Sequence, residues 1–201
     1  MTTKNTNPNI LLAFIIGFTL FSFTTAVTSI SYSVLTNKST VTWTGKKPGG
    51  EHTGIVNITS GNLEMDGDLI TSGEFVMDMT SIKPTDSESQ KLLDHLKGED
   101  FFNVAKFPES KLEIISSTSE GKDKNGNEVL LVTGSLTVLG KTNPITFKAV
   151  NTGKTENYIV YQSNMVIDRT KYGITYKSSL LGDAMIYDDF DLSVKIFGKK
   201  N

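Results

Sequence analysis

Cysteine is absent from the 201-residue chain. That excludes disulfides and any lipid-modified cysteine behind an export signal, so packing alone must stabilise the fold. Histidine is scarce, with only His52 and His95. No H-x-x-x-H spacing occurs, and a zinc site would need carboxylates to complete it, so no metal and no other cofactor is expected. Strong charge of one sign is missing as well: the formal net charge is −2 and no run of Lys or Arg exceeds a pair. Nucleic acid is therefore not an expected partner, because binding it needs a concentrated basic surface. There is no G-x-S-x-G and no phosphate-binding loop, which removes the nucleophile-elbow and nucleotide-binding readings.

Long apolar runs are confined to one place, "ILLAFIIGFTLFSF" from Ile10, preceded by Lys4 and followed by Thr24-Thr25-Ala26. The run is shorter than the roughly 20 residues a bilayer span needs and has the length of a secretory h-region. Residues 1–26 are expected to be a signal peptide cleaved near Ala26, which makes the protein exported, periplasmic or secreted. Retention of residues 10–26 as an uncleaved anchor is the alternative.

From residue 30 onward Gly, Asn and Asp punctuate stretches rich in Val, Ile, Thr, Phe and Tyr, the pattern of an all-β domain. "STVTWTG" sets Val41 and Trp43 on one face. "GIVNITSGNLEMDG" reads as two short strands joined at Ser60-Gly61-Asn62, and "GEFVMDM" aligns Phe75, Met77 and Met79. In "VLLVTGSLTVLG", Leu130, Val132, Leu136 and Val138 share a face with Gly134, and "AMIYDDFDLSVKIFG" aligns Ile186, Phe190, Leu192, Val194 and Ile196. The turn "DKNGNE" has acidic spacing but lacks the glycine and the terminal glutamate of a calcium loop, so Asn125-Gly126 marks a hairpin. About eight antiparallel strands follow, and closing them into a barrel hides every edge, where a sandwich would leave some.

"TDSESQKLLDHLKG" breaks the strand pattern. Thr85 or Asp86 is the expected N-cap of a short helix, with Glu88 in its first turn, Leu92, Leu93 and Leu96 as its apolar stripe and Gly98 just beyond it. The next residues, "EDFFNVAKFP", carry Phe101, Phe102 and Phe107 and stop at Pro108. Three phenylalanines in a loop must dock on an apolar surface, either plugging a barrel end as core or covering a cavity.

His95-Leu96-Lys97, Asp100-Phe101, Lys106-Phe107-Pro108, and Gly134-Ser135-Leu136-Thr137 leading through Gly140, Thr142 and Pro144 resemble, in order and spacing, the YceI family of exported lipocalin-like polyisoprenoid-binding proteins. The likeness runs from Tyr32 to Phe197 and is strongest between residues 75 and 149. It implies an all-β fold, an extended eight-stranded antiparallel lipocalin-like barrel with a short helical cover over one end, occupying residues 27–201. It also implies an apolar lipid or isoprenoid as ligand. "KKPGGE" before His52 departs from the family pattern and leaves the shape of one rim open.

The expected function is sequestration or transport of a long apolar lipid, a polyisoprenoid, within the barrel. Trp43, Phe75, Met77, Met79, Phe101, Phe102, Phe107, Leu136, Val138 and Phe147 are the expected lining. His95 either hydrogen-bonds at the helix end or, with Lys97, meets a polar head. Asp188, Asp189 and Asp191 read as a solvated strand face rather than paired catalytic carboxylates, and no enzyme activity is expected. A barrel enzyme (an isomerase or cyclase acting on a bound lipid) and a ligand-free interaction domain are the alternatives. Membrane proximity and the oligomeric state stay open.

Overall fold

The computed structural model describes residues 1–2, 29–178 and 185–201, so residues 3–26 of the expected signal peptide lie outside the described part. The chain forms β1 (Ile30–Val34), β2 (Thr40–Lys47), β3 (Gly50–Asp66), β4 (Leu69–Pro84), α1 (Gln90–Lys97), β5 (Glu109–Lys122), β6 (Glu128–Val138), β7 (Lys141–Lys154), β8 (Tyr158–Asp168), a 3-10 turn (Arg169–Tyr172) and β9 (Asp189–Lys200).

The strands follow one another around a single antiparallel sheet in the order β3-β2-β9-β8-β7-β6-β5-β4, and pairing of β4 back onto β3 closes it. β1 and β2 both lie between β3 and β9: Tyr32 pairs with Leu63 and Lys200, and Trp43 with Gly54 and Leu192. They are two pieces of one wall, interrupted at residues 35–39, where Leu35 N–H donates to the Phe197 carbonyl and Ser39 Oγ accepts from Phe197 N–H. The result is the expected closed eight-stranded barrel. Closure gives every described strand a neighbour on both sides, though the β7–β8 ladder is short, running from Val150 paired with Gln162 to Lys154 paired with Ile159.

Alternation decides which side chains fill it. Leu130, Val132 and Ile159 are fully buried, as are Leu63 and Met65, and each contributes about 1.5–3 kcal/mol by leaving water. In the inward row of β6, Gly134 stands where a side chain cannot: a Cβ there would lie 2.3 Å from the Glu113 carbonyl oxygen on β5.

Three local expectations are corrected. β3 is one 17-residue strand, not two strands joined at Ser60-Gly61-Asn62. Its ladder with β4 shifts register between Ile58 and Ser60, so the small residues that read as a turn bend the wall through a bulge. The helix is capped by Ser89, whose Oγ accepts from Leu92 N–H at 3.3 Å, not by Thr85 or Asp86. Thr85 N–H donates to the Thr53 carbonyl and Asp86 faces His52 at 3.2 Å, so both are held on β3, and Glu88 precedes the helix. Ile186 lies before β9, which begins at Asp189. "KKPGGE" forms the tip of the β2–β3 hairpin, where Lys46 pairs with Glu51 and Lys47 with Gly50.

Candidate functional site

One end of the barrel gathers the β2–β3 hairpin, α1 with the segment after it, the β6–β7 turn and the 3-10 turn after β8. α1 lies along β4 with Leu96 buried and Leu92 against the core. The phenylalanine segment is folded back onto the helix end: Phe101 and Asn103 N–H donate to the Gly98 carbonyl, Phe102 N–H to Leu96 and Val104 N–H to Lys97. These bonds satisfy the last carbonyls of α1 and turn Phe101 and Phe102 toward the barrel mouth.

Beneath them is a cavity of about 120 Å³ lined by residues that include Val41, Trp43, Met77, Met79, Leu96, Phe101, Phe102, Leu136, Val138, Phe190 and Leu192. A second cavity of about 40 Å³ is lined by, among others, Phe75, Leu112, Val132, Phe147, Tyr161, Met165, Val194 and Ile196. The two are stacked along the barrel axis. Inward residues pass from one to the other on β4 (Phe75, then Met77), on β6 (Val132, then, beyond Gly134, Leu136) and on β9 (Val194, then Leu192). Where the two adjoin, Met77 and Leu192 stand on the larger cavity and Leu112 and Met165 on the smaller, and these side chains form a waist. Among the described residues the interior thus holds two apolar compartments.

Of the expected lining residues, Trp43, Met77, Met79, Phe101, Phe102, Leu136 and Val138 surround the larger cavity, and Phe75 and Phe147 the smaller. Phe107 lines neither: its ring packs on Gly140 in the β6–β7 turn, with the Lys106 ammonium 5.2 Å from its centre. It stops at the rim because Pro108 turns the chain back into β5. His95 also lines neither cavity. Its Nδ1 faces Asp100 Oδ2 at 2.6 Å and its ring lies 5.4 Å from Tyr176, which joins the helix end to the segment after the 3-10 turn. Lys97 is likewise outside both linings.

Arg169 escaped the sequence reading. Only 3% exposed, it borders the larger cavity and donates from Nε to the Tyr187 carbonyl, from Nη1 to Ile174, and from Nη2 to Ile186 and to Asp188 Oδ1. Burial pushes its pKa down, opposed by Asp188 and Asp168. The guanidinium thus ties Ile174 on one side and Ile186, Tyr187 and Asp188 on the other to the 3-10 turn. No periodic signal could mark it, since its partners are carbonyls of irregular chain. In the smaller cavity, burial raises the Tyr161 hydroxyl to about 12, against a hydrogen bond with the Asn151 side chain.

Among the described residues, the polar side chains on the larger cavity are Trp43, Ser110, Arg169 and Tyr187, without Asp, Glu or His. Asp188 is paired with Arg169 and Asp191 with Lys46. Among the described residues no group of three His, Cys, Asp or Glu is placed to hold a metal.

Comparison with known proteins agrees with this architecture. A "UPF0312 protein" of Shewanella denitrificans is 33% identical over 101 residues, half of each chain. One from Yersinia pestis is 37% identical over 79 residues, 39% of this chain and 36% of that one. The matched stretch thus spans half or less of these relatives. Among solved structures, BcnA of Burkholderia cenocepacia superposes with a TM-score of 0.66 at 17% identity, over 82% of this chain and 98% of that one. A polyisoprenoid binding domain from Saccharophagus degradans does so with a TM-score of 0.63 at 12% identity, over 86% and 99%. The YceI-like domain model matches residues 32–197, the full circuit of the barrel from β1 to β9, and the chain belongs to that family.

Proposed function

We propose that the protein is an exported carrier that binds a long apolar lipid, a polyisoprenoid or a molecule of like chemistry, inside the barrel without transforming it. The observation that carries this reading is the pair of stacked apolar compartments beneath Phe101 and Phe102. The polyisoprenoid-binding neighbour of the same fold supports the ligand class. Affinity comes from burial, about 0.8 kcal/mol per methylene removed from water. A larger compartment of about 120 Å³ is of the size that holds one ring-sized group, well below the roughly 300–1,000 Å³ of ordinary ligand sites. A long chain therefore requires the waist to part, and the unbranched thioethers of Met77 and Met165 permit this at low cost. Export rests on the segment before Ala26.

The cavity size also favours a second reading, a filled barrel acting as an interaction domain. Native mass spectrometry with lipid extraction, run on protein from the cell envelope, separates the two. An intact polyprenyl lipid in stoichiometric amount supports carriage, a converted lipid indicates an enzyme, and protein free of lipid that takes up none from vesicles indicates the filled barrel. A mature N-terminus at Met1 or Thr2 would overturn cleavage.

A further inference from the structure

β2 carries the one tryptophan of the chain. The residue is buried, at 8% exposure, and it borders the larger cavity together with Met79 and Ile82. Trp43 Nε1 is the one buried side-chain nitrogen or oxygen without a hydrogen-bond partner among the described residues. An indole N–H only donates, and when buried it ordinarily has an acceptor, so each exception calls for a cause.

Protein partners do not supply one. Arg169, on the same cavity, only donates, here to three carbonyls and Asp188, and cannot accept from an indole N–H. The Ser110 hydroxyl donates to Met79 Sδ at 3.1 Å. A trapped water needs two to four polar partners, and the wall is otherwise aliphatic and aromatic apart from Tyr187. What remains is an acceptor brought by the ligand. It is neutral, because Arg169, the one cation on the cavity among the described residues, already faces a carboxylate and carbonyls, and a second charge in an apolar chamber would go unpaired.

We propose that Trp43 is a specificity-determining residue: its indole N–H selects, among long apolar molecules, one that carries a neutral oxygen acceptor, a carbonyl or hydroxyl, on the part seated in the larger compartment. This rests on the carrier reading and adds to it. A bare hydrocarbon gains the burial but leaves Nε1–H unsatisfied. A phosphorylated or carboxylate head is kept out of this compartment. Because Nε1 is closed off, the acceptor reaches it only as the neighbouring side chains give way, and Met77 and Met79 are the adaptable ones.

The test uses phytane and phytanol, which share one branched carbon skeleton and differ by a hydroxyl, delivered from phosphatidylcholine vesicles to the intact mature protein. The wild type is expected to bind phytanol about 3- to 10-fold more tightly, the worth of one neutral hydrogen bond. Trp43→Phe, which keeps an aromatic ring but no donor, should lose that preference while holding phytane as before. Because the chain has a single indole, its N–H proton resonance can be followed unambiguously in the wild type, so the test survives a poorly folded variant. It should move downfield with phytanol and stay with phytane. Equal binding of both, with no movement of the resonance, overturns the role of Trp43 and leaves the carrier reading standing. Binding of neither overturns both.

Discussion

The indole of Trp43 lies against its cross-strand partner Gly54, so closely that a Cβ on Gly54 would stand 2.3 Å from Cζ2 and 2.6 Å from Cε2. The same Cβ would come within 2.1 Å of the Lys83 carbonyl oxygen on β4, a backbone atom that no rotamer change can move. Gly54→Ala is therefore expected to destabilise the fold by about 3 kcal/mol, the upper end of overpacking costs. Urea denaturation measures the loss, and tryptophan emission should report a displaced indole. An unchanged midpoint would contradict the close packing.

Arg169 orders the mouth through backbone carbonyls. Arg169→Met fills similar volume but leaves the Ile174, Ile186 and Tyr187 carbonyls and Asp188 unpaired, at a cost of about 3 kcal/mol. Arg169→Lys should recover only part of it, because an ammonium lacks the planar fork that reaches several carbonyls at once. Denaturant midpoints check both, and amide exchange at Ile174 should quicken with the loss. Full recovery by lysine would show that charge alone is what the site uses.

Met77 lines the larger cavity one inward step along β4 from Phe75, which lines the smaller. Truncation at the waist, Met77→Ala, is expected to cost about 2 kcal/mol of stability and to join the two spaces. Affinity should rise for ligands long enough to occupy both and stay level for those that fill only the larger. Titrations with a short and a long isoprenoid alcohol decide; a parallel loss for both would assign Met77 a purely structural role.

Two groups set opposite limits on pH stability. The Thr170 hydroxyl, then backbone N–H groups and Lys171, hold Asp168 below its ordinary 3.8. A carboxylate depressed on folding stabilises above its unfolded pKa, and that contribution disappears as acid protonates it, at pH below about 3.8. Asp168→Ala, which removes the cap of the 3-10 turn, should cost about 1 kcal/mol at neutral pH and flatten the acid limb of a stability profile. Tyr161 behaves in reverse. Its hydroxyl rises from 10.0 to about 12, so its contribution is complete below pH 10 and is lost between 10 and 12. Tyr161→Phe should remove that alkaline loss, and a fall of the same size in the variant would contradict it.

The helix and its phenylalanines show how far a sequence reaches. Leu92, Leu96 and the Phe101-Phe102 pair were legible because their spacing leaves an apolar stripe that must be covered. The cap was misplaced at Thr85 or Asp86, since polar residues suited to capping were equally suited to holding β3, and only the neighbouring strand chose between those uses.

Inward rows on β2, β4, β6 and β9 were legible for the same reason: a period of two forces a strand to declare two faces. Seven of the expected lining residues, Trp43, Phe75, Met77, Met79, Leu136, Val138 and Phe147, stand on rows of this kind beside the cavities, although the pattern alone did not tell which face turns inward. Local pattern carries no distance along the barrel axis, however. It could not show that Phe75 and Met77 belong to different compartments, that Arg169 would collect carbonyls from a segment with no periodicity, or that the Trp43 N–H would be left without a partner. Those features arise where strands distant in the chain meet, and only the closed sheet brings them together.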